Sequence, residues 1–204
     1  MITYSNDFKK YEEDNLNLLN IDYDGLNWCE LGNQDYYGEP AKKMYELKGV
    51  NHTSIDINGK DESLPLDLDS PIPNNLKNKF NVVTNYGTSE HVNNQYELFK
   101  SIHMMCKRNG IMIHGVPLIG NWPKHCRYYY SKLFFEELSK LCDYQIADIR
   151  ILDTGAYKLP KNLVVCVLIK KTGKFFISKE KFDTINDLKD SRNMSKTGNY
   201  TKKV

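Results

Sequence analysis

The order of elements in this sequence predicts an α/β fold with a doubly wound, mostly parallel sheet and helices on both faces. Segments with strand patterns alternate with segments of helical spacing, the arrangement that produces parallel crossover units. The run LVVCVLI at 163–169 is apolar throughout, as expected for a strand buried on both faces. The last two predicted strands have no helix between them, so one of them is expected to run antiparallel.

In the first half of the chain, residues 5–19 predict a helix because their apolar residues lie loosely on one side. Residues 26–31 form a short apolar run typical of a buried strand. Residues 36–48 show helical spacing, and 52–57 alternate as a strand does. Two further predicted strands span 64–68 and 80–86.

In the second half, residues 92–108 carry the clearest helical stripe, and the strand 111–116 follows directly. Ser131 can cap a helix over 132–142, whose apolar residues again recur at helical spacing. The last two predicted strands span 144–152 and 162–170.

The sequence is expected to form a single domain over residues 1–188, which begins with a helical segment within residues 1–23. Its 204 residues suffice for one hydrophobic core, and 40% hydrophobic and 26% charged residues are ordinary for a globular protein. Residues 189–204 are polar and rich in lysine and predict a basic, flexible tail. Such a tail commonly solubilises a protein; weak attraction to phosphate is the alternative.

Composition argues against several classes of protein. The formal net charge of +2 gives no general argument for nucleic acid or acidic membranes as partners. No apolar run is long enough for a transmembrane helix, and the polar first residues do not resemble a secretion signal. The five cysteines are odd in number, and four lie in apolar segments where free thiols pack well. A reducing, cytoplasmic location is therefore expected.

The strongest chemical signal is a series of acidic residues that end successive predicted strands. Glu30 ends the first strand and Gly32 makes the turn after it, whereas Asp56 ends the second and Asp67 lies in LPLDL. Ligands of doubly wound sheets bind at the carboxyl ends of the strands, where a carboxylate can hold both hydroxyls of a ribose. The alternative for each position is an ordinary turn residue. A dinucleotide site would need G-x-G-x-x-G, of which only Gly32 is present.

These residues and their order resemble the class I S-adenosylmethionine-dependent methyltransferases. The resemblance covers about residues 24–170 and rests on four blocks, WCELGN, SIDING, LPLDL and FNVVTNYGTSEHV. It implies a seven-stranded sheet with an antiparallel last hairpin and S-adenosylmethionine as the cofactor. The cofactor-binding residues that it implies are Glu30, Gly32, Asn33, Asp56, Ile57, Asp67, Leu68 and Asn85.

Within that resemblance, each block has its own part of the cofactor. Glu30 and Gly32 correspond to contacts with the methionine end, Asp56 to the ribose contact, and Asp67 with Leu68 to the adenine. The sequence departs from the family in the first block, where the usual G-x-G is reduced to Gly32 alone. The contacts with the methionine end are therefore the ones that this departure puts in question.

Catalytic candidates lie in and after the fourth block. Glu90 and His91 place a carboxylate beside a histidine, a combination suited to a general base for a hydroxyl acceptor. His114, at the end of the fifth strand, and His125, in a ring-rich loop, are further candidates for the base. The alternative is that Glu90 and His91 simply begin the next helix. No pair of histidines has short metal-binding spacing, so no metal site is predicted.

The loop 115–130 is the predicted substrate wall, because long loops at the carboxyl edge of a sheet commonly serve recognition. Trp122 and Tyr128 offer flat apolar faces with polar tips, and Arg127 can hold a phosphate or carboxylate. The alternative is that these rings pack over the sheet.

The sequence therefore predicts an enzyme that transfers a methyl group from S-adenosylmethionine to a small-molecule acceptor, through a hydroxyl or amine of a sugar or other metabolite. Methylation of RNA or protein is one alternative, and a non-catalytic S-adenosylmethionine-binding subunit is another. A small molecule is the expected partner, nucleic acid is not favoured, and no membrane association is expected. The oligomeric state is not predicted.

Overall fold

The computed structural model describes residues 6–36, 38–153 and 161–192, which form a central sheet with helices on both faces. The strands are β1 (Asn27–Leu31), β2 (Asp35–Tyr36), β3 (Glu39–Pro40), β4 (Asn51–Ile55), β5 (Phe80–Tyr86), β6 (Cys106–Pro117), β7 (Tyr128–Tyr130), β8 (Tyr144–Leu152), β9 (Leu163–Lys170) and β10 (Leu188–Asp190). The helices are α1 (Asn6–Leu18), α2 (Ala41–Leu47), α3 (Gln95–Met105), α4 (Lys132–Cys142) and α5 (Lys179–Phe182).

The central sheet has six strands in the described residues, in the order β4-β1-β5-β6-β9-β8. The first four are mutually parallel, and β9 runs antiparallel to both of its neighbours. The predicted α/β class and the antiparallel last strand are therefore confirmed. Crossovers through α2 and α3 produce the parallel order, as expected for βαβ connections.

The expected seventh strand is reduced to a single bridge. Within LPLDL, only Leu64 pairs with the sheet, through a parallel bridge to Ile55. Pro65 interrupts this segment, and a proline has no N–H to donate to a strand ladder. Among the described residues, the central sheet therefore has six strands rather than the seven that the family pattern implies.

Two hydrophobic clusters cover the two faces of the sheet. One includes the inward residues of α3 and α4, and the other those of α1 and α2. Alternate residues of β9 divide between them, with Val164 and Cys166 in the first cluster and Val165 and Val167 in the second. Burial on both faces explains why the sequence of β9 is apolar throughout.

Helix α1 is held on the sheet by a buried carboxylate. Glu12 is fully buried, and its Oε2 accepts hydrogen bonds from the hydroxyls of Tyr45 at 2.7 Å and Tyr86 at 2.9 Å. Its Oε1 accepts a third from Tyr23 at 2.8 Å. These hydroxyls compensate the desolvation of the carboxylate, which would otherwise be costly.

Several element boundaries differ from the predictions for local reasons. Strands β2 and β3 pair antiparallel, so the predicted helix over 36–48 begins only at Ala41. The third helix begins at Gln95 because the side chain of Asn94 caps it by accepting from the Glu97 amide.

The predicted tail begins inside the fold. Strand β10 pairs antiparallel with β7, so Lys189 and Asp190 belong to a small two-stranded sheet. The rest of the predicted tail, from residue 193 onward, lies outside the described residues. Within the described ranges, no helix combines the length and apolar character required to cross a bilayer.

Candidate functional site

A cleft opens at the carboxyl ends of β1, β4 and β5, the edge at which doubly wound sheets bind ligands. It encloses about 680 Å³ of space, including its open mouth. The residues that line it are Gly32, Ile55, Asp56, Ile57, Leu66, Asp67, Leu68, Asp69, Thr88, His91, Val92 and Asn93.

The turn after β1 forms one wall of the cleft and is tightly packed. Gly32 has a φ of +76°, and a Cβ there would lie 2.4 Å from the Thr88 hydroxyl oxygen and 2.7 Å from the Gln34 amide nitrogen. The Thr88 hydroxyl donates to the Leu31 carbonyl at 2.7 Å and accepts from the Gln34 amide at 3.2 Å. Gln34 therefore closes the turn with its side chain, at the position where the family pattern has a second glycine.

Glu30 lies behind this turn and does not line the cleft. It is fully buried, and its Oε2 accepts from the Gln34 backbone amide at 3.4 Å and lies 3.7 Å from His52 Nε2. Burial raises the pKa of Glu30 well above its usual range and lowers the pKa of His52 to about 4. Both shifts favour the neutral forms, so desolvation outweighs attraction between the two groups.

Asp56 lies at the end of β4 and faces both the cleft and the β1 turn. Its Oδ2 accepts from the backbone amide of Asn33 at 3.1 Å, and its Oδ1 accepts from that of Asn58 at 2.9 Å. Asn33 also donates from its side chain to Asp61 at 2.5 Å. Asp56 thus links two turns, and each carboxylate oxygen retains a second lone pair for a ligand hydroxyl. Ile57, the next residue, also lines the cleft.

Asp67 and Leu68 form part of the wall contributed by LPLDL. The Asp67 carboxylate accepts from the backbone amide of Asp69 at 3.0 Å, while Leu68 is buried. Asp69 in turn accepts from the Asn94 amide at 2.6 Å and from the Asn93 side chain at 3.2 Å. This wall is therefore joined to the start of α3.

Asn85 and His114 lie beneath the site, in the core. The Asn85 side chain donates to the Ser89 hydroxyl at 2.9 Å, accepts from the Ser89 amide at 3.0 Å, and lies 3.1 Å from His114 Nδ1. The His114 ring packs against Phe99 and Phe135, with centroid separations of 5.8 and 5.0 Å. Burial lowers the pKa of His114 to about 3. Neither residue lines the cleft, and this placement does not support a cofactor contact for Asn85 or a proton-transfer role for His114.

Glu90, His91 and His125 converge beside the cleft. Oε1 of Glu90 lies 4.0 Å from His91 Nε2 and 3.9 Å from His125 Nε2, and the two imidazole rings meet edge to face at 5.3 Å. Glu90 is fully buried, and burial raises its pKa to about 8. His91 also lines the cleft. Three of the four predicted catalytic residues are thus brought together.

The three predicted substrate residues do not line the cleft. Trp122 donates from its indole to the Asn162 carbonyl at 3.0 Å. Arg127 forms two hydrogen bonds to the Asp190 carboxylate, at 3.1 and 2.9 Å, and one to the Asn93 side chain at 2.8 Å. The Tyr128 hydroxyl donates to the Asn93 carbonyl at 3.0 Å. Arg127 and Tyr128 therefore support Asn93 in the cleft wall. The Arg127 guanidinium is paired with the Asp190 carboxylate, and not with a group in the cleft.

Thr88, Asp69 and Asn93 are cleft residues that the sequence did not single out. Asp69 lies two positions after Asp67, a spacing typical of an aspartate turn, and Thr88 lies within the fourth block. Hydroxyl and amide side chains are common in any loop, so their types alone do not distinguish them from other polar residues.

Several solved structures that resemble this fold are methyltransferases, and one is a cyclase. No protein-family model and no curated protein matches this sequence. The chain is similar to the Burkholderia thailandensis 1,6-didemethyltoxoflavin-N1-methyltransferase, with a TM-score of 0.61 and 10% identity over 82% of this chain and 79% of that chain. The [4+2]-cyclase SpnF gives a TM-score of 0.61 and 13% identity over 84% and 83% of the two chains.

A third similar structure is the N-methyltransferase NodS from Bradyrhizobium japonicum. It gives a TM-score of 0.56 and 9% identity over 82% of this chain and 89% of that chain. The Burkholderia and Bradyrhizobium enzymes were both solved with bound S-adenosylhomocysteine. At these identities the likeness is one of fold, and it agrees with the strand order described above. The chain therefore has the fold of the class I S-adenosylmethionine-dependent methyltransferases.

Proposed function

We propose that this chain binds S-adenosylmethionine in the cleft and transfers its methyl group to a small-molecule acceptor. One observation carries the proposal: Gly32, Asp56, Asp67 and Leu68, from three separate segments of the chain, line a single cleft at the carboxyl edge of the sheet. The family pattern assigns these same positions to the methionine, ribose and adenine parts of the cofactor.

Each cleft residue offers the chemistry that its part of the cofactor requires. Asp56 accepts hydrogen bonds from the two ribose hydroxyls, using lone pairs that its two amide contacts leave available. Asp67 lies next to Leu68, so a carboxylate can face the polar edge of adenine while an apolar side chain covers its face. Gly32 lets the backbone approach the methionine end closely.

Methyl transfer from a sulfonium requires mainly that the acceptor be held in line and kept from water. Glu90, His91 and His125 provide a proton acceptor when the acceptor group is a hydroxyl, because His91 lines the cleft and the other two adjoin it.

The proposal is tested by titrating the full chain with S-adenosylmethionine and S-adenosylhomocysteine in a calorimeter. Asp56→Ala removes both acceptors of the ribose hydroxyls. Charge-assisted hydrogen bonds contribute about 1.5–3 kcal/mol each, so the variant should bind roughly 100-fold more weakly.

Two control variants sharpen this measurement. Asp56→Asn keeps the shape and one acceptor and should lose less affinity than Asp56→Ala. Asp183→Asn, which changes an exposed carboxylate paired with Lys179 outside the cleft, should bind like the unmodified chain. No binding by the unmodified chain at millimolar cofactor, or equal binding by Asp56→Ala, would contradict the proposal.

A non-catalytic cofactor-binding protein is a second candidate function, and the Gln34 side chain favours it. This side chain fills part of the β1 turn through its contact with Thr88, where the family pattern has glycine. Gln34→Gly separates the two candidates. A non-catalytic protein, in which Gln34 restricts the space for the methionine end of the cofactor, predicts two results. Gln34→Gly binds S-adenosylmethionine more tightly than the unmodified chain does, and the unmodified chain forms no S-adenosylhomocysteine with any acceptor. A catalytic site predicts turnover in the unmodified chain.

A further inference from the structure

Glu90, His91 and His125 form a cluster of side chains whose types and spacing match those of metal ligands. One ligand atom from each lies within 4.8 Å of the other two. Bonds of about 2.1 Å to a tetrahedral ion would place neighbouring ligand atoms about 3.4 Å apart. The Glu90–His91 and Glu90–His125 separations are 4.0 and 3.9 Å, so each exceeds this distance by about half an ångström. The ligand atoms of His91 and His125 lie within 4.8 Å of each other, so that pair has to close by about 1.4 Å at most.

The Glu90 carboxylate points to a ligand rather than to a structural role. Its side chain is fully buried, and neither carboxylate oxygen accepts a hydrogen bond from any other residue that the structure describes. Burying a carboxylate without hydrogen-bonding partners is costly, and structural carboxylates such as Glu12 are compensated by several donors. A cation is the partner that satisfies both oxygens of such a group.

The backbone around the cluster is held by hydrogen bonds that preorganise it. Glu90 and His91 belong to the 3-10 turn Ser89–His91, which is fixed by the contacts of Asn85 with Ser89. The Arg127 amide donates to the Glu90 carbonyl at 3.2 Å, and the His125 amide donates to the Tyr129 hydroxyl at 3.2 Å. The Arg127 bond joins the loop that carries His125 to the turn that carries the other two ligands.

We propose that Glu90, His91 and His125 bind one divalent transition-metal ion of the Zn²⁺ class. Two imidazoles and one carboxylate are one of the ligand sets found in catalytic zinc sites, which keep a fourth position open. Imidazole also suits Fe²⁺, Co²⁺ and Ni²⁺, whereas Mg²⁺ and Ca²⁺ prefer oxygen ligands throughout.

The position of the cluster gives the ion a role in the reaction, and this second step rests on the proposed function. Because His91 also lines the cleft, the ion would lie at the cleft wall. With the ion bound, the three side chains would act as its ligands and not as direct proton acceptors. An open coordination position there can take an oxygen of the acceptor, orient it and lower its pKa, so that it loses its proton to solvent more readily. The site would then select acceptors that carry a hydroxyl or a carboxylate next to the methylated atom.

Cobalt provides the direct test, because Co²⁺ is coloured and substitutes for Zn²⁺. The metal-free full chain is titrated with Co²⁺ in the absence of S-adenosylmethionine, and its visible ligand-field bands are recorded. We expect saturation at one ion per chain with bands of four- or five-coordinate cobalt, and displacement by Zn²⁺. An intense near-ultraviolet thiolate band is not expected, because none of the three proposed ligands is a cysteine.

Variants identify the ligands. Glu90→Gln and His125→Gln should each weaken Co²⁺ binding by at least about 100-fold, since loss of an outer-shell partner alone costs 10–100-fold. Glu136→Gln, at an exposed position on α4, should leave the affinity unchanged. Metal-free Glu90→Gln should melt at the same temperature as the unmodified chain or higher, because it removes a buried carboxylate that lacks hydrogen-bonding partners. His125→Gln alters a loop residue and serves as a second test if Glu90→Gln does not fold.

The outcomes separate this proposal from the proposed function. Absence of Co²⁺ binding at millimolar concentration, unchanged affinity in both ligand variants, or a strong thiolate band would overturn the site. Because the titration contains no cofactor, a chain that binds Co²⁺ but not S-adenosylmethionine retains the metal site and loses the methyltransferase assignment. A chain that binds S-adenosylmethionine but not Co²⁺ retains the methyltransferase assignment and loses the metal site.

Discussion

Gly32, in the turn after β1, should be the glycine of the site whose substitution lowers the free energy of unfolding most. The variant Gly32→Ala tests this expectation. An alanine at a φ of +76° loses about 1–2 kcal/mol to backbone strain. Its Cβ would also lie 2.4 Å from the Thr88 hydroxyl oxygen and 2.7 Å from the Gln34 amide nitrogen. Relief of these contacts displaces Thr88 from its buried bond to the Leu31 carbonyl and Gln34 from its bond to Thr88. Two disrupted buried hydrogen bonds add about 2–3 kcal/mol.

Gly25→Ala is a matched control, because Gly25 has a φ of +72° and a Cβ at this position would meet no atom of the described residues within 4 Å. This variant should lose only the part of the free energy of unfolding that comes from backbone strain, about 1–2 kcal/mol. Urea unfolding followed by tryptophan fluorescence measures both variants. We expect the free energy of unfolding of Gly32→Ala to lie about 2–3 kcal/mol below that of Gly25→Ala.

The double variant Gly32→Ala with Thr88→Ala locates the source of this difference. Removal of the Thr88 hydroxyl abolishes the closest contact, so Gly32→Ala should cost about 1–2 kcal/mol less in that background. If Gly32→Ala and Gly25→Ala agree within about 0.5 kcal/mol, the tight packing of this turn does not limit the residue at position 32 and the reasoning is wrong.

Three further predictions concern the surroundings of the site. Glu12→Ala removes the carboxylate to which three tyrosine hydroxyls donate and should reduce the free energy of unfolding by about 3 kcal/mol or more. Glu12→Gln should reduce it less. Equal losses of the two variants in urea unfolding would refute the hydrogen-bonding role of Glu12. Burial, aided by Lys170, lowers the pKa of His103 to about 4, so the unfolded chain takes up the proton first as the pH falls through about 6.5. The free energy of unfolding should therefore fall by up to about 3 kcal/mol from this residue between pH 6.5 and 4, and His103→Gln should lack that part of the pH dependence; parallel pH profiles would exclude it. Arg127→Ala should release Asp190 and increase amide hydrogen exchange in β10. The free energy of unfolding should fall by only about 1 kcal/mol, because the Arg127–Asp190 pair is partly exposed. Unchanged exchange would show that Arg127 does not hold β10 in place.

The class of the fold and most of its elements could be predicted from local patterns. The spans of β5, α4 and β8 agree with the predicted 80–86, 132–142 and 144–152. Their apolar residues follow the period of the element, and cap or turn residues mark their ends. The segment LPLDL was misleading because its apolar residues resemble a strand while Pro65 prevents a continuous ladder.

Part of the cleft could also be predicted, because the topology of the sheet determines which strand ends lie side by side. Parallel strands place their carboxyl ends at one edge, so acidic residues that end successive strands must come near one another. Gly32 and Asp56 directly follow β1 and β4 and meet in the cleft for that reason, and Asp67 joins them from the segment that bridges to the end of β4. The sequence alone therefore determined the fold class, the edge of the sheet at which the cleft opens and several of the residues there.

Tertiary structure alone decided which polar groups are buried and which distant residues meet. His114 and Arg127 have the same residue types as functional groups elsewhere, but His114 packs between phenylalanines and Arg127 pairs with Asp190. Likewise, His125 reaches Glu90 only because its loop folds back and the Arg127 amide bonds to the Glu90 carbonyl. Burial and long-range contact depend on how the loops pack after the sheet has formed, and no local periodicity encodes that packing.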